Sequence, residues 1–366
     1  MMFLKKITRG VFKPRSFQCM CCTHDAQVKL GRKLQKKPWA HSASRVHIAD
    51  EQVAEMLAKT ITKDIRNDSI IFEANPGPGI LTKALLENGA QRLRIFVPKE
   101  SDYVLDLKKI ETEYSNLEIC YANILDIHRI WTRDAIQGTS VLPTLFENIE
   151  VKNWEEEPVI KLIAPLSPLT GYGFLRNLFK QVAHSTGIFT CGRMEVFPFI
   201  NDYEYLQMTS NPKCKDYWIY KKCTVLYHSF FEIQHLHTFS WQIFAPEVIT
   251  THKTIRRGDP KVCHLVKLTP RKDLHSKYDP SILPAFIFFV TQATMKQSNY
   301  VIAFFEKLMP GCGPKLIKLG IPLFAKFGEL EPDSYLQLFA EISEWDEFKE
   351  SGFFATMSGR EYEEIS

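Results

Sequence analysis

The 366-residue chain has no run of 18 consecutive apolar residues, so a conventional membrane-spanning helix and membrane insertion are not expected. Its longest apolar cluster, Leu283 to Val290, is too short and contains Pro284. No internal repeat is visible. Cysteine is odd in number, nine residues scattered along the chain. Cys19-Met-Cys21-Cys22 has the Cys-x-x-Cys spacing, but neither a second pair nor a histidine set completes a zinc site. Free thiols in a reducing compartment are the default expectation, with no metal.

Acid is scarce at the start. Residues 1–37 hold ten Lys/Arg and one acid, Asp25, leaving 36 basic and 41 acidic residues beyond them. The last 26 residues, from Glu341 to Ser366, carry eight acids against Lys349 and Arg360. The body between is therefore near neutral, and nucleic-acid binding would require a local patch. Phe3, Leu4, Ile7 and Val11 share one helical face, with Lys5, Lys6, Arg9 and Lys13 largely off it. This Arg/Lys-rich, acid-poor amphipathic start predicts a mitochondrial presequence. A basic arm that binds nucleic acid directly is the alternative.

From residue 48 helical and strand patterns alternate. Asp50 to Ile61 predicts an amphipathic helix capped by Asp50. Strand patterns follow at Ser69–Glu73, Leu93–Val97, Leu117–Tyr121 and Val159–Ala164, with an irregular insertion expected over Gln137 to Glu157. Leu175 to His184 and Tyr217 to Phe230 predict helices; Ile188–Phe189, Val196–Ile200, Phe231–His237 and Cys263–Leu268 read as extended. This rhythm implies an α/β fold with a largely parallel, doubly wound sheet. From Leu283 the spacing turns helical, broken by prolines. The expected division is a targeting segment or basic arm at 1–37, an α/β domain at 45–275, a smaller α-helical C-terminal domain at 280–350 and an acidic tail at 351–366.

The most informative segment is Glu73-Ala-Asn-Pro-Gly-Pro-Gly-Ile-Leu-Thr82, between a strand pattern and a helical one. A strand, a glycine turn and a helix start bring backbone N–H groups close to a nucleotide-like ligand. Thr82 stands where a plain dinucleotide fingerprint has its third glycine. An acid before Asn-Pro-Gly-Pro-Gly with Leu-Thr after it resembles the S-adenosylmethionine loop of the rRNA adenine N6,N6-dimethyltransferases. Asn75, where most of those enzymes carry Gly, is similar to the mitochondrial transcription factor B family on its second-paralogue branch. Asn tolerates the left-handed conformation that such a turn requires. Phe244-Ala-Pro-Glu-Val248, Val266-Lys-Leu-Thr-Pro-Arg271, Gly192-Arg-Met-Glu195 and the helical tail with Lys315-Leu-Ile-Lys-Leu-Gly320 extend the resemblance over about residues 45 to 350. The fold it implies is a class I S-adenosylmethionine-dependent methyltransferase (Rossmann-like) domain with a smaller α-helical C-terminal domain.

The resemblance assigns Glu73, Asn75, Gly77 and Gly79 to the cofactor loop. Glu100, 21 residues beyond Gly79, has the spacing of an acid that accepts from ribose hydroxyls, with Asp102 as a competitor. Asn123 stands where family enzymes use Asp for the adenine amino group, and lacks the charge that strengthens such a bond. The family's Gln-Asn-Phe-Leu-x-Asp run corresponds to Arg45-Val-His-Ile-Ala-Asp50. Ala164, Pro165 and Leu166 occupy the place of the catalytic Asn-Leu-Pro-Tyr, whose amide and aromatic ring hold an extruded adenine. Tyr172 and Phe174 are the nearest aromatics. Arg256, Arg257, Lys261, Arg271 and Lys272, with Lys221, Lys222 and Lys267, are the candidate nucleic-acid contacts.

Taken together, the resemblance implies an initiation factor for the mitochondrial RNA polymerase on promoter DNA, in the matrix and nucleoid, with S-adenosylmethionine binding weak or vestigial. Efficient dimethylation of mitochondrial small-subunit rRNA is the alternative, and a ribosome-assembly scaffold a third reading.

Overall fold

Ile70-Ile71-Phe72-Glu73-Ala74 is buried at every position, the mark of a strand covered on both faces. Ile160 to Pro165 and most of Met194 to Asn201 share that character. The computed structural model describes residues 45–168, 171–213, 219–248 and 258–356. The basic N-terminal segment, Cys19 to Cys22, Arg256, Arg257 and the last ten residues of the acidic tail lie outside the described residues.

In chain order the first elements are β1 (His47–Ile48), α1 (Glu51–Thr62), β2 (Ile70–Ala74), α2 (Ile80–Glu87), β3 (Leu93–Phe96), α3 (Val104–Glu113), β4 (Leu117–Cys120) and α4 (Ile127–Gln137). They are followed by β5 (Ile160–Pro165), α5 (Gly171–His184), β6 (Met194–Asn201), α6 (Asp202–Thr209), α7 (Lys222–Phe230), β7 (Phe231–Ser240), β8 (Phe244–Ala245) and β9 (Val262–Pro270). The C-terminal part holds α8 (Leu283–Ala293), α9 (Val301–Leu308), α10 (Gly313–Lys318), α11 (Pro332–Ser343) and α12 (Asp346–Lys349).

The main sheet has the order β4-β3-β2-β5-β6-β9-β7. Strands β4, β3, β2, β5 and β6 run parallel, and β9 is antiparallel to both its neighbours. The doubly wound α/β expectation is met, with the sheet order reversing between β2 and β5. A second, two-stranded sheet pairs His47 with Ala245 and Ile48 with Phe244. Asp50 caps α1 as expected, its carboxylate accepting from the Gln52 and Val53 N–H groups at 2.9 and 3.0 Å.

Two expectations change. Ile188–Phe189 is a tight 3-10 turn, not a strand: Gly187 is left-handed (φ +61°) and the Gln181 side chain captures the Ile188 N–H at 2.9 Å. Among the described residues, the helix expected from Tyr217 begins at Lys222, where Lys221 is extended and serves as its cap.

One apolar cluster lies beneath α1, α2 and α3; the other runs from the opposite sheet face through α5 and α7 into α8, α9 and α11. Phe289 of α8 is stacked between Phe305 (5.7 Å) and Phe339 (5.1 Å), and Phe286 joins that stack to Phe230 of α7 (5.9 Å). The core of the C-terminal helices is thus continuous with that of the sheet. Arg271, at the end of β9, adds a polar clamp by donating to Asp333 (2.7 Å) and Asp273 (3.3 Å). Phe289→Ala is expected to lower the unfolding free energy by about 3–5 kcal/mol, read from urea denaturation.

Candidate cofactor and base-binding site

Four loops leave the sheet from the C-terminal ends of β2, β3, β4 and β5, where an open α/β sheet binds ligands. Parallel pairing sets Ala74 beside Phe96 and Phe96 beside Cys120, so the loops with Asn75, Glu100 and Asn123 emerge on one edge.

The first loop is tightly constrained. Asn75, Gly77 and Gly79 all adopt positive φ, at +52°, +59° and +90°. A side chain on Gly77 would lie 2.2 Å from the His47 ring, and one on Gly79 would lie 2.4 Å from Ile110. Glycine is required at both positions by conformation and by space. Gly79 starts α2 without a side-chain cap, leaving its N-terminal N–H groups at the site.

Glu73 is fully buried, and the Thr82 hydroxyl donates to its carboxyl at 2.7 Å. Burial pushes the Glu73 pKa up to about 8, with the Thr82 hydrogen bond opposing the shift. Glu73 therefore braces the loop from beneath, and Thr82, in the place of a third glycine, ties the helix back to the strand.

The remaining cofactor positions divide. Glu100 is exposed in the turn after β3, open to a ribose. Asn123 is engaged: its carbonyl oxygen accepts from the Leu125 N–H (3.2 Å) and its amide donates to Asp126 (2.7 Å). Asp126 is thus the partner that holds Asn123.

His47 is a residue that the sequence reading passed over. Its ring packs on Gly77 and meets Tyr103 edge-on at 5.2 Å, while Nε2 is buried without a hydrogen-bond partner among the described residues. Burial pulls its pKa down to about 4, so the ring is neutral near pH 7. Its signal was positional: a polar residue between Val46 and Ile48, beside the missing Gln-Asn pair. Arg45 is exposed at the start of this segment.

At the end of β5, Ala164 and Pro165 continue the strand, paired with Pro198 and Phe199. Ala164, Pro165 and Leu166 are all buried, and none carries an amide side chain or an aromatic ring. Phe174 is buried in the core and cannot supply a stacking face. Tyr172 lines a narrow crevice with Leu166, Ser167, Asn201 and Glu204, and Arg176 lies 5.8 Å over its ring. Burial lifts the Glu204 carboxyl to about 7, and the Arg176 charge opposes the shift. Lys222 is depressed by burial and by the positive charges of Arg176 and Lys180, which places three cations near one another beside this crevice.

Of the other candidate nucleic-acid contacts, Lys267 and Lys272 line one pocket together with Arg193, Glu157 and Glu195. Arg271 is committed to Asp273 and Asp333, Lys272 to Glu157 (3.1 Å) and Lys267 to Glu195 (2.9 Å). Lys261 is exposed, between Asp259 and β9. Among the described residues the basic grouping near the crevice is Arg176, Lys180 and Lys222; only Lys222 had been singled out.

The glycine loop and the exposed Glu100 would be the groups to hold S-adenosylmethionine, whereas Asn123 carries no charge and Ala164, Pro165 and Leu166 carry neither an amide nor a ring. When bound, that cofactor would supply a methyl group. Comparison with known proteins adds lineage. No family model matches the chain. It is 24% identical to the mitochondrial dimethyladenosine transferase 2 of Drosophila melanogaster over 91% of this chain and 82% of that protein. To the human protein of the same name it is 26% identical, over 81% of this chain and 77% of that one. A Plasmodium falciparum dimethyladenosine transferase structure superposes with a TM-score of 0.56 at 14% identity, covering 81% of this chain and 97% of that one. The fold is that of the class I rRNA methyltransferases, Rossmann-like with one antiparallel strand inserted near the sheet edge. By sequence, the chain is similar over most of its length to the mitochondrial dimethyladenosine transferases 2 of these animals.

Three substitutions test the loop. Gly77→Ala is expected to destabilise by about 2 kcal/mol or more, through the left-handed backbone and the His47 contact. Adding His47→Ala should recover the steric part only, read as non-additivity in a double-mutant cycle. The raised Glu73 pKa favours folding fully below about pH 4.5, and that contribution fades as pH rises to about 8. Glu73→Gln should therefore gain stability relative to wild type between pH 5 and pH 8.5, by up to about 4 kcal/mol in urea titrations.

Proposed function

We propose that the chain is a mitochondrial transcription initiation factor that helps the mitochondrial RNA polymerase to open promoter DNA. It would do so on an rRNA adenine dimethyltransferase fold whose catalytic contacts are eroded. The observation that carries this reading is the end of β5. There Ala164, Pro165 and Leu166 are buried as ordinary strand and core residues, so these three positions supply neither an amide to accept from a target amine nor a ring to stack on it. The engaged Asn123 supports the same reading at the adenine end.

What remains suits binding. Tyr172 offers a ring at the crevice, and Arg176, Lys180 and Lys222 offer cations beside it, a pairing of stacking and phosphate contacts suited to a separated strand. The relatives' mitochondrial names and the basic amphipathic start support a location in the matrix, at the nucleoid. S-adenosylmethionine binding is weak or vestigial on this reading.

A second reading is an active mitochondrial rRNA adenine N6,N6-dimethyltransferase acting on small-subunit rRNA. The intact left-handed loop, the exposed Glu100 and the relatives' names favour it.

Run-off transcription with the cognate polymerase separates the readings. Transcription from a closed linear promoter should depend on the protein, and transcription from a pre-melted promoter should not. Transcription from closed DNA without it would refute the initiation role. Calorimetry with S-adenosylmethionine should show no micromolar binding; tight binding together with methylation of a small-subunit rRNA hairpin would establish the second reading.

A further inference from the structure

The C-terminal helices carry a surface that neither the sheet edge nor the crevice explains. After α10, anchored by the buried Leu316, the chain runs through Ile317-Lys-Leu-Gly-Ile-Pro-Leu-Phe324 before returning to the core at Ala325 and Phe327. Ile317, Leu319, Leu323 and Phe324 are exposed, Phe324 at 73%. The hook is held in shape. Val301 N–H donates to the Ala325 carbonyl at 2.9 Å, Tyr300 bridges Lys326, and the Phe324 ring meets Tyr300 edge-on at 6.3 Å. Scattered single hydrophobes are ordinary on a surface, but four large ones within eight residues on a braced hook are not.

Its electrostatics are one-sided. From Met295 to Phe327 there are five lysines and one acid, Glu306. The Glu306 carboxylate is consumed by the Gly311 and Gly313 N–H groups at 2.8 and 2.6 Å. Lys315 is paired with Glu347 and Lys326 with Glu329 (3.4 Å), whereas Lys296, Lys307 and Lys318 have no carboxylate partner among the described residues. Ile317, Leu319 and Leu323 offer neither a stacking face nor a phosphate donor, which disfavours nucleic acid as occupant.

We propose that the hook Ile317–Phe324 is a protein-docking surface that receives an apolar segment of another protein bordered by Asp or Glu. The aliphatic side chains and Phe324 form its core, and Lys318 lies on its charged rim. The proposal deepens the initiation-factor reading, on which it rests, by placing a polymerase contact on the face of α9 and α10, away from the sheet edge.

The test measures binding of the full-length protein to the purified cognate mitochondrial RNA polymerase by fluorescence anisotropy. It compares wild type, the double variant Leu323→Asp/Phe324→Asp and Lys318→Glu. A single-stranded RNA oligonucleotide serves as a second probe, and sedimentation reads self-association. The double variant should bind polymerase at least about ten-fold more weakly and Lys318→Glu less tightly, with RNA binding and circular dichroism unchanged. Wild-type affinity for the polymerase in both variants would overturn the hook while leaving the initiation role intact. Loss of RNA binding, or of a wild-type dimer, without loss of polymerase binding would also overturn it. If the wild type itself does not bind polymerase, the initiation-factor reading fails and the hook proposal with it.

Discussion

The candidate site depends on one buried contact, the hydrogen bond from the Thr82 hydroxyl to the Glu73 carboxyl beneath the glycine turn. Three left-handed residues between a strand and a helix leave a short loop with few backbone options, and the bond joins its two ends. With the turn so held, α2 starts at Gly79, His47 closes over Gly77, and α3 approaches closely enough for Ile110 to pack on Gly79. Each contact requires the absence of a side chain at a glycine. The loop is therefore sustained by packing as well as by any ligand, and a chain that had no further use for the ligand would still need the loop to fold.

The same reasoning explains which features were legible in the sequence. Elements whose residues are buried for their own sake were readable: the largely apolar β2 and β5, the Asp50 cap of α1, and the turn with its Asn-Pro-Gly-Pro-Gly spelling. The left-handed Asn75 follows from the chemistry of Asn in such a turn. What escaped the sequence were choices made by tertiary contacts. Ile188–Phe189 reads as a strand because both residues are apolar, yet Gln181, a few residues upstream, and a left-handed glycine wind it into a turn. Arg271 and Lys272 read as phosphate contacts because charge is visible in a sequence and its partner is not. Their carboxylates, Asp333 and Glu157, lie 62 and 115 residues away along the chain.

The basic grouping near the crevice shows the converse. Arg176 and Lys180 are four residues apart on α5, and Lys222 opens α7. Packing of those helices brings the cations together, although no local run of charge announces them. In a body near neutral overall, such convergence is the means by which a patch can form. Its neighbour, the buried Glu204, keeps a carboxyl near neutrality beside the Tyr172 ring, so the crevice is less negative than its composition suggests.

Backbone features and side-chain features answer to different demands at this edge of the sheet. The loop that would approach a cofactor is built from φ angles, glycines and a buried brace, all of which folding itself requires. The contacts that would perform methyl transfer are side chains at strand ends, where folding requires little. There the chain carries Ala164, Pro165 and Leu166 packed inward, and an Asn123 held by its own neighbour. Catalysis would call for exposed, unsatisfied groups at those strand ends, and the groups found there are satisfied by their neighbours. That asymmetry is why the proposed function rests on the end of β5 and not on the glycine loop.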